Sequence, residues 1–232
     1  MSEDPAPRQD GAASLNSRLR AFSVRATAAA IVGVARLLTG VQANWSGTRP
    51  DACRRVYFAN HTSHGDFVLI WTVLPPRLRA RTRPVAAADY WLASRARRFI
   101  GSEVFRAVLI ERQAGARRAD PVGQMAATLD AGDSLILFPE GTRNVGDELL
   151  LAFKSGLYHL ASARPEIELV PVWIDNISRV MPKGELLPIP ILCSVTFGTP
   201  LSLSPDEDKA AFLERARAAL LALSPTAQGE AG

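Results

Sequence analysis

Along most of the chain, apolar runs of strand length alternate with stretches of helical composition. Runs near 55–59, 84–88, 107–111, 134–138, 169–174 and 192–197 read as strands, and 63–74, 90–100, 118–130, 153–163 and 205–223 read as helices. This alternation predicts an α/β domain with a central, largely parallel sheet flanked by helices, because parallel strands need a crossover that a helix supplies. The domain is expected over 46–223. An alanine-rich stretch precedes it, Arg18 to Ala43, and a polar turn follows from Asn44 to Pro50. At helical spacing Arg18, Arg25 and Arg36 fall on one line, with Ile31, Val34, Leu38 and Val41 opposite. The pattern predicts an amphipathic helix within 17–45, blunted by Val32 on the arginine side.

The longest uncharged run of that helix, 26–35, gives roughly 15 Å of helix against a hydrocarbon core of about 30 Å. The segment is therefore expected to lie in a membrane interface with its arginines reaching headgroups, or to cover the domain core, and not to span a bilayer. Val41-Gln42-Ala43 has the look of a signal cleavage site, but Arg36 interrupts the apolar region before it. Residues 1–16 and 224–232 have too little apolar content to pack and are expected to be disordered tails.

With 232 residues, 47% of them hydrophobic, the chain can bury one full core. Its two cysteines, Cys53 and Cys193, form no C-x-x-C pair, which argues against a disulfide framework or a zinc ribbon and fits a reducing compartment. The net charge is +4, but between Arg77 and Arg118 eleven arginines stand against Asp89, Glu103 and Glu111, a local excess of +8. Such a stretch is either a solvated face or a surface for an anionic partner. Nucleic acid is a poor fit, since aromatics are few there and no base-reading module is present. Anionic lipid headgroups or an acidic acyl carrier fit better.

Two turns carry chemistry. Asn60-His61-Thr62-Ser63-His64-Gly65-Asp66 follows the first domain strand, and Phe138-Pro139-Glu140-Gly141-Thr142-Arg143 follows the fourth. In open α/β sheets ligands gather at such turns. His61 and Asp66 cannot meet on one continuous helix, but they can if His61 is in the turn and Asp66 in the first helical turn, with Ser63 as N-cap. A carboxylate would then fix the imidazole tautomer and leave the other nitrogen as a base. Histidine, with an ordinary pKa of about 6.5, suits that task at neutral pH. This is a hydrolytic triad without its serine, so the nucleophile would be the substrate's own hydroxyl. The alternatives are that Asp66 only caps the helix and that His61 is a hydrogen-bonded turn residue. In the second turn Pro139 stops strand pairing, Gly141 allows close approach, and Arg143 offers a planar fork suited to phosphate. Arg112, after the strand near 107–111, would lie at the same sheet edge and add a second cation. A surface turn with Arg143 paired to Glu140 is the other reading.

These residues resemble the glycerolipid acyltransferases that make phosphatidic acid from lysophosphatidic acid. The family's N-H-x-x-x-x-D signature appears as Asn60-His61 through Asp66, and its F-P-E-G-T-R-S as 138–144 with Asn144 in place of serine. Its middle block resembles Val108-Leu109-Ile110-Glu111-Arg112, with Glu111 for the usual aspartate, and Val170-Pro171-Val172 and Phe197-Gly198-Thr199-Pro200-Leu201 resemble its later blocks. The likeness covers roughly residues 35–202. It implies acyl transfer without a covalent enzyme intermediate, with His61 as base and Asp66 orienting it. Arg112, Glu140, Gly141, Thr142, Arg143 and, more weakly, Lys154 would bind the acceptor's glycerol phosphate. The donor would be acyl-CoA or an acyl carrier protein, with no metal or organic cofactor. The expected place is the cytoplasmic face of a bacterial inner membrane. Within the family the acceptor could be another lysophospholipid or hydroxyl-bearing lipid, and the departures at Glu111 and Asn144 bear on that choice.

His61-x-x-His64-x-Asp66 also resembles the ligand run of metallo-β-lactamase-like hydrolases, but Phe67 occupies the last ligand position and only His159 remains elsewhere. A membrane-binding module without catalysis would leave both turns unexplained.

Overall fold

The computed structural model describes residues 10–111, 120–175 and 192–225. Seven strands form one sheet: β1 (Gln42–Trp45), β2 (Arg55–Ala59), β3 (Thr82–Ala87), β4 (Val108–Ile110), β5 (Ser134–Leu137), β6 (Glu168–Asp175) and β7 (Ser194–Phe197), in the spatial order β1-β7-β6-β2-β5-β3-β4. Every neighbouring pair is parallel except β6 and β7. The α/β class and the largely parallel sheet are as expected. The antiparallel step and β1 are not visible in the hydrophobic pattern. β1 is a four-residue edge strand whose residues stay mostly exposed, so it carries no buried periodicity.

Side chains of β2 alternate between two apolar layers, both dry because helices cover both faces. Tyr57 and Ala59 point to a layer built with Ile70, Trp71, Leu74, Val172 and Phe197. Val56 and Phe58 point to the other, with Leu129, Leu160, Leu169 and Phe212. The first layer is roofed by α1 (Asp10–Thr39), α2 (Asp66–Val73) and a π-helical segment (Phe99–Val104). The second is roofed by α6 (Pro121–Asp130), α7 (Gly156–Ala163) and α8 (Lys209–Leu221). Three short helices, α3 (Pro76–Arg79), α4 (Ala88–Leu92) and α5 (Arg95–Arg98), complete the chain order. The single helix expected near 90–100 is thus broken. Ser94 sits in extended conformation and accepts a hydrogen bond from the Arg97 N–H, an N-cap that starts a new helix.

α1 begins at Asp10, so residues 10–16 continue the helix rather than forming a tail. It ends where Gly40 adopts φ +51° and its N–H bonds the Arg36 carbonyl. Its domain-facing stripe is Val24, Ala28, Ile31 and Val32. Val34 and Leu38, expected to share the face of Ile31, are exposed together with Leu19, Phe22 and Leu37. Asn16–Thr39 is 24 residues long and holds an 18-residue window of mean hydropathy 1.5, so by length and composition it could cross a membrane. The uncharged run alone understated that length, because arginines near the ends of a helix can reach out of an apolar layer.

Candidate active site

The site starts from the end of β2. Asn60 is buried, and its side-chain amide donates to the Ile174 carbonyl at 3.0 Å and accepts from the Ile174 N–H at 2.8 Å, tying the end of β2 to β6. The next residue is His61, and the second turn grips both of its backbone polar groups. Its N–H donates to Glu140 Oε1 at 2.7 Å, and its carbonyl accepts from the Asn144 N–H at 2.6 Å. The peptide that carries the imidazole is therefore fixed from both sides.

His61 Nδ1 lies 2.9 Å from Asp66 Oδ2. That same oxygen accepts from the N–H groups of Thr62 at 2.7 Å and Ser63 at 2.9 Å. Asp66 is fully buried, at the first position of α2. A carboxylate can only accept, so the Nδ1 proton points at Asp66 and the lone pair sits on Nε2. Nε2 has no hydrogen-bond partner among the described residues, and the ring stacks on Phe138 with centroids 4.2 Å apart. The pairing of His61 with Asp66 is thus as the spacing suggested. The capping detail differs: Gly65 is the N-cap of α2, and the Ser63 hydroxyl accepts from the Gly65 N–H instead.

Glu140, expected to bind the acceptor, is 1% exposed, and both its oxygens are occupied by backbone donors, His61 N–H and Leu151 N–H. It cannot face a ligand, and its role is to hold the two turns together. Burial pushes its carboxyl above the ordinary range, while the Leu151 and His61 N–H groups pull the other way. Asn144 is buried too. Its side chain donates to the Glu148 carbonyl and accepts from the Gly146 N–H, so this departure from serine shapes the loop and not the cavity wall. Gly141 has φ +70°, and an added Cβ there would come within 3.1 Å of Lys154 Cγ. Lys154 therefore lies across the back of the turn. Arg112 falls outside the described residues.

An open cavity of about 440 Å³ lies at the carboxyl ends of β2, β3, β4 and β5. His61, Gly141, Thr142 and Arg143 share its wall. Val85, Ile110, Leu137 and Phe138 give it an apolar floor, and Phe67, Tyr90, Trp91 and His64 add an aromatic side. The backbone N–H groups of Thr142 and Arg143 and the Arg143 guanidinium have no partner among the described residues. The expected pairing of Arg143 with Glu140 is absent there. Tyr90, Trp91 and His64 were missed as site residues. The pattern marked Tyr90 and Trp91 only as part of a helix, and nothing in sequence spacing brings α4 beside His64. His64 stacks on Tyr90 at 5.2 Å, and its pKa is held below the ordinary histidine value by burial first, then by the charge of Arg143 and by His61. Among the described residues no three His, Cys, Asp or Glu side chains converge to hold a metal.

The arginine-rich stretch is not one free patch. Arg79 caps the carbonyls of Trp71, Thr72 and Leu74 at the end of α2, and Arg81, Arg83 and Arg106 surround the buried Asp133. Four of the eleven cations therefore act inside the fold.

Residues 46–175 match the family model described as Acyltransferase. The chain is 27% identical over 179 residues to a 1-acyl-sn-glycerol-3-phosphate acyltransferase of Limnanthes alba, covering 74% of this chain and 59% of that protein. It thus spans about three fifths of the length of the curated relative it matches. The crystal structure of the 1-acyl-sn-glycerophosphate (LPA) acyltransferase PlsC from Thermotoga maritima aligns over 89% of this chain and 80% of its own, with TM-score 0.65 and 19% identity. At that identity the likeness is one of fold.

Proposed function

The chain belongs to the acyltransferase family, and from that membership we propose that it moves a fatty acyl group from an acyl thioester to the hydroxyl of lysophosphatidic acid, giving phosphatidic acid for phospholipid synthesis. The observation that carries this reading is the His61–Asp66 pair at 2.9 Å, with Nε2 unpartnered among the described residues and His61 in the wall of the cavity that Arg143 also lines.

His61 Nε2 takes the proton of the acceptor hydroxyl as that oxygen attacks the thioester carbonyl carbon. The negative charge passes to the carbonyl oxygen of a tetrahedral intermediate. Donors already in place stabilise such a charge without reorganisation, and Thr142 and Arg143, whose backbone N–H groups have no partner among the described residues, line the same wall. Collapse re-forms the carbonyl and breaks the C–S bond. The imidazolium returns its proton to the departing thiolate, so the products are an ester and a free thiol. Asp66 keeps the proton on Nδ1 and offsets the imidazolium charge.

Arg143, Thr142 and Gly141 line the acceptor side of the cavity, and Lys154 and Arg112 are further candidate cations for the phosphate. Glu140 is a positioning residue. The apolar floor suits an acyl chain. The exposed Leu19, Phe22, Val34 and Leu37 of α1 give the enzyme an apolar surface for the membrane that holds its lipid substrates. Cys53 and Cys193 form no disulfide with each other, which suits the cytoplasmic face of a bacterial inner membrane. The acyl donor is acyl-CoA or an acyl carrier protein.

The test is incubation of purified protein with palmitoyl-CoA and lysophosphatidic acid, following free thiol and identifying the lipid by mass. Acceptor-dependent phosphatidic acid supports the reading. Turnover confined to other lysolipids moves the substrate, and thiol release that ignores the acceptor contradicts transfer.

A further inference from the structure

The proposed chemistry leaves the contact between α4, α5 and the loop after β2 unexplained. Arg97 of α5 places its guanidinium carbon 4.5 Å from the Tyr90 ring centroid, and Tyr90 stacks at 5.2 Å and 12° on the His64 imidazole. His64 and Tyr90 line the same cavity as His61 and Arg143. Arg143 lines that cavity, Arg97 lies outside its lining but sits on the Tyr90 ring that lines it, and the charges of both act on His64. Neither guanidinium makes a hydrogen bond or an ion pair among the described residues. An aromatic face under a guanidinium fixes its plane while its N–H edge stays open to an anion.

We propose that Arg97, seated on Tyr90, is a second cation of the acceptor-phosphate site and acts with Arg143 to select a phosphate-bearing acceptor. This rests on the acyl-transfer reading above and adds to it a specificity residue from α5, a helix outside both motif turns. Bond count decides which phosphate is meant. The phosphate of a lysophosphatidic acid sits only a few bonds from the hydroxyl that must reach His61. The phosphates of a thioester carrier lie a whole pantetheine arm from the reacting carbon. A phosphate held beside His64, three residues from the base, therefore belongs to the acceptor.

Binding of short-chain lysophosphatidic acid, monoacylglycerol and palmitoyl-CoA is measured by calorimetry for the wild type, Arg97→Gln, Arg97→Lys and Arg95→Gln. Acceptor KM is measured beside it. Arg95→Gln removes the same charge from the same helix, without the ring contact. Losing one charged contact to phosphate weakens binding about 10-fold or more. Arg97→Gln is expected to weaken lysophosphatidic acid binding by that factor and to raise its KM likewise. Monoacylglycerol is expected to bind as to the wild type, Arg97→Lys to recover part of the loss, and Arg95→Gln to stay within about twofold.

Equal loss of lysophosphatidic acid and monoacylglycerol in Arg97→Gln, or wild-type binding of both, overturns the proposal. A loss confined to palmitoyl-CoA assigns Arg97 to the donor and overturns it too. Arg97-dependent binding of lysophosphatidic acid by a wild type that makes no phosphatidic acid sustains the anion site and rejects the acyl-transfer reading instead.

Discussion

Glu140 holds the backbone N–H of His61 at 2.7 Å, while its other oxygen takes the Leu151 N–H at 3.0 Å. A residue that sequence reasoning assigned to the substrate instead sets the position of the base. A glutamine there has one accepting oxygen, so one buried N–H loses its partner. Glu140→Gln is expected to cost about 1–3 kcal/mol of stability and to lower kcat more than it raises acceptor KM. Chemical denaturation and steady-state kinetics check both. Reversed effects, with KM rising alone, would restore Glu140 to the substrate.

The same residue gives a pH signature. Burial raises its folded pKa, so the folded protein binds the proton more tightly than the unfolded chain does. The stability this contributes is full at low pH and is lost as pH rises from the ordinary carboxyl range through the raised value. The difference in unfolding free energy between wild type and Glu140→Gln is expected to change over that window and to be flat above it. A denaturation series across mildly acid pH reads it directly.

Asp66→Asn keeps the shape of the loop but no longer holds the proton on His61 Nδ1. We expect kcat to fall about 100-fold or more, with the KM values near those of the wild type. A large rise in KM at unchanged kcat would mean that Asp66 serves only the loop.

Asn60→Ala removes both links between the end of β2 and Ile174. Two buried backbone groups then lack partners, worth about 2–3 kcal/mol, or a midpoint lower by about 5–10 °C in thermal denaturation. Activity measured below the transition is expected to fall as well, because His61 follows directly.

Phe22 and Leu37 are 71% and 80% exposed, so the double change Phe22→Ser and Leu37→Ser leaves the domain core untouched. Binding to vesicles containing anionic lipid is expected to drop while the thermal midpoint stays. An unchanged affinity for vesicles would remove the membrane role from this face of α1.

The sequence showed the six main domain strands and the His61–Asp66 pair, because buried strands leave continuous apolar runs and a five-residue spacing across a turn has few solutions. Most of the parts it hid depend on contacts between distant segments. β1 pairs at an exposed edge, and the breaks at Ser94 and in the π-helical segment are local. The direction of the Glu140 side chain depends on His61, 79 residues away, and a motif cannot tell a buried clasp from a ligand. Tyr90 lines the cavity only because β3 delivers α4 to the same sheet edge as β2. The α1 face went astray because its inner stripe is small, Ala28 among larger residues, and the larger Leu19, Phe22 and Leu37 face outward.

The central claim is that His61 takes the acceptor's proton itself. Transfer from palmitoyl-CoA to lysophosphatidic acid by folded His61→Ala, compared with wild type at equal concentration, tests it most directly. The account predicts turnover lower by about 100-fold or more, with the folding transition kept. Phosphatidic acid made by His61→Ala at a rate near that of the wild type would contradict it.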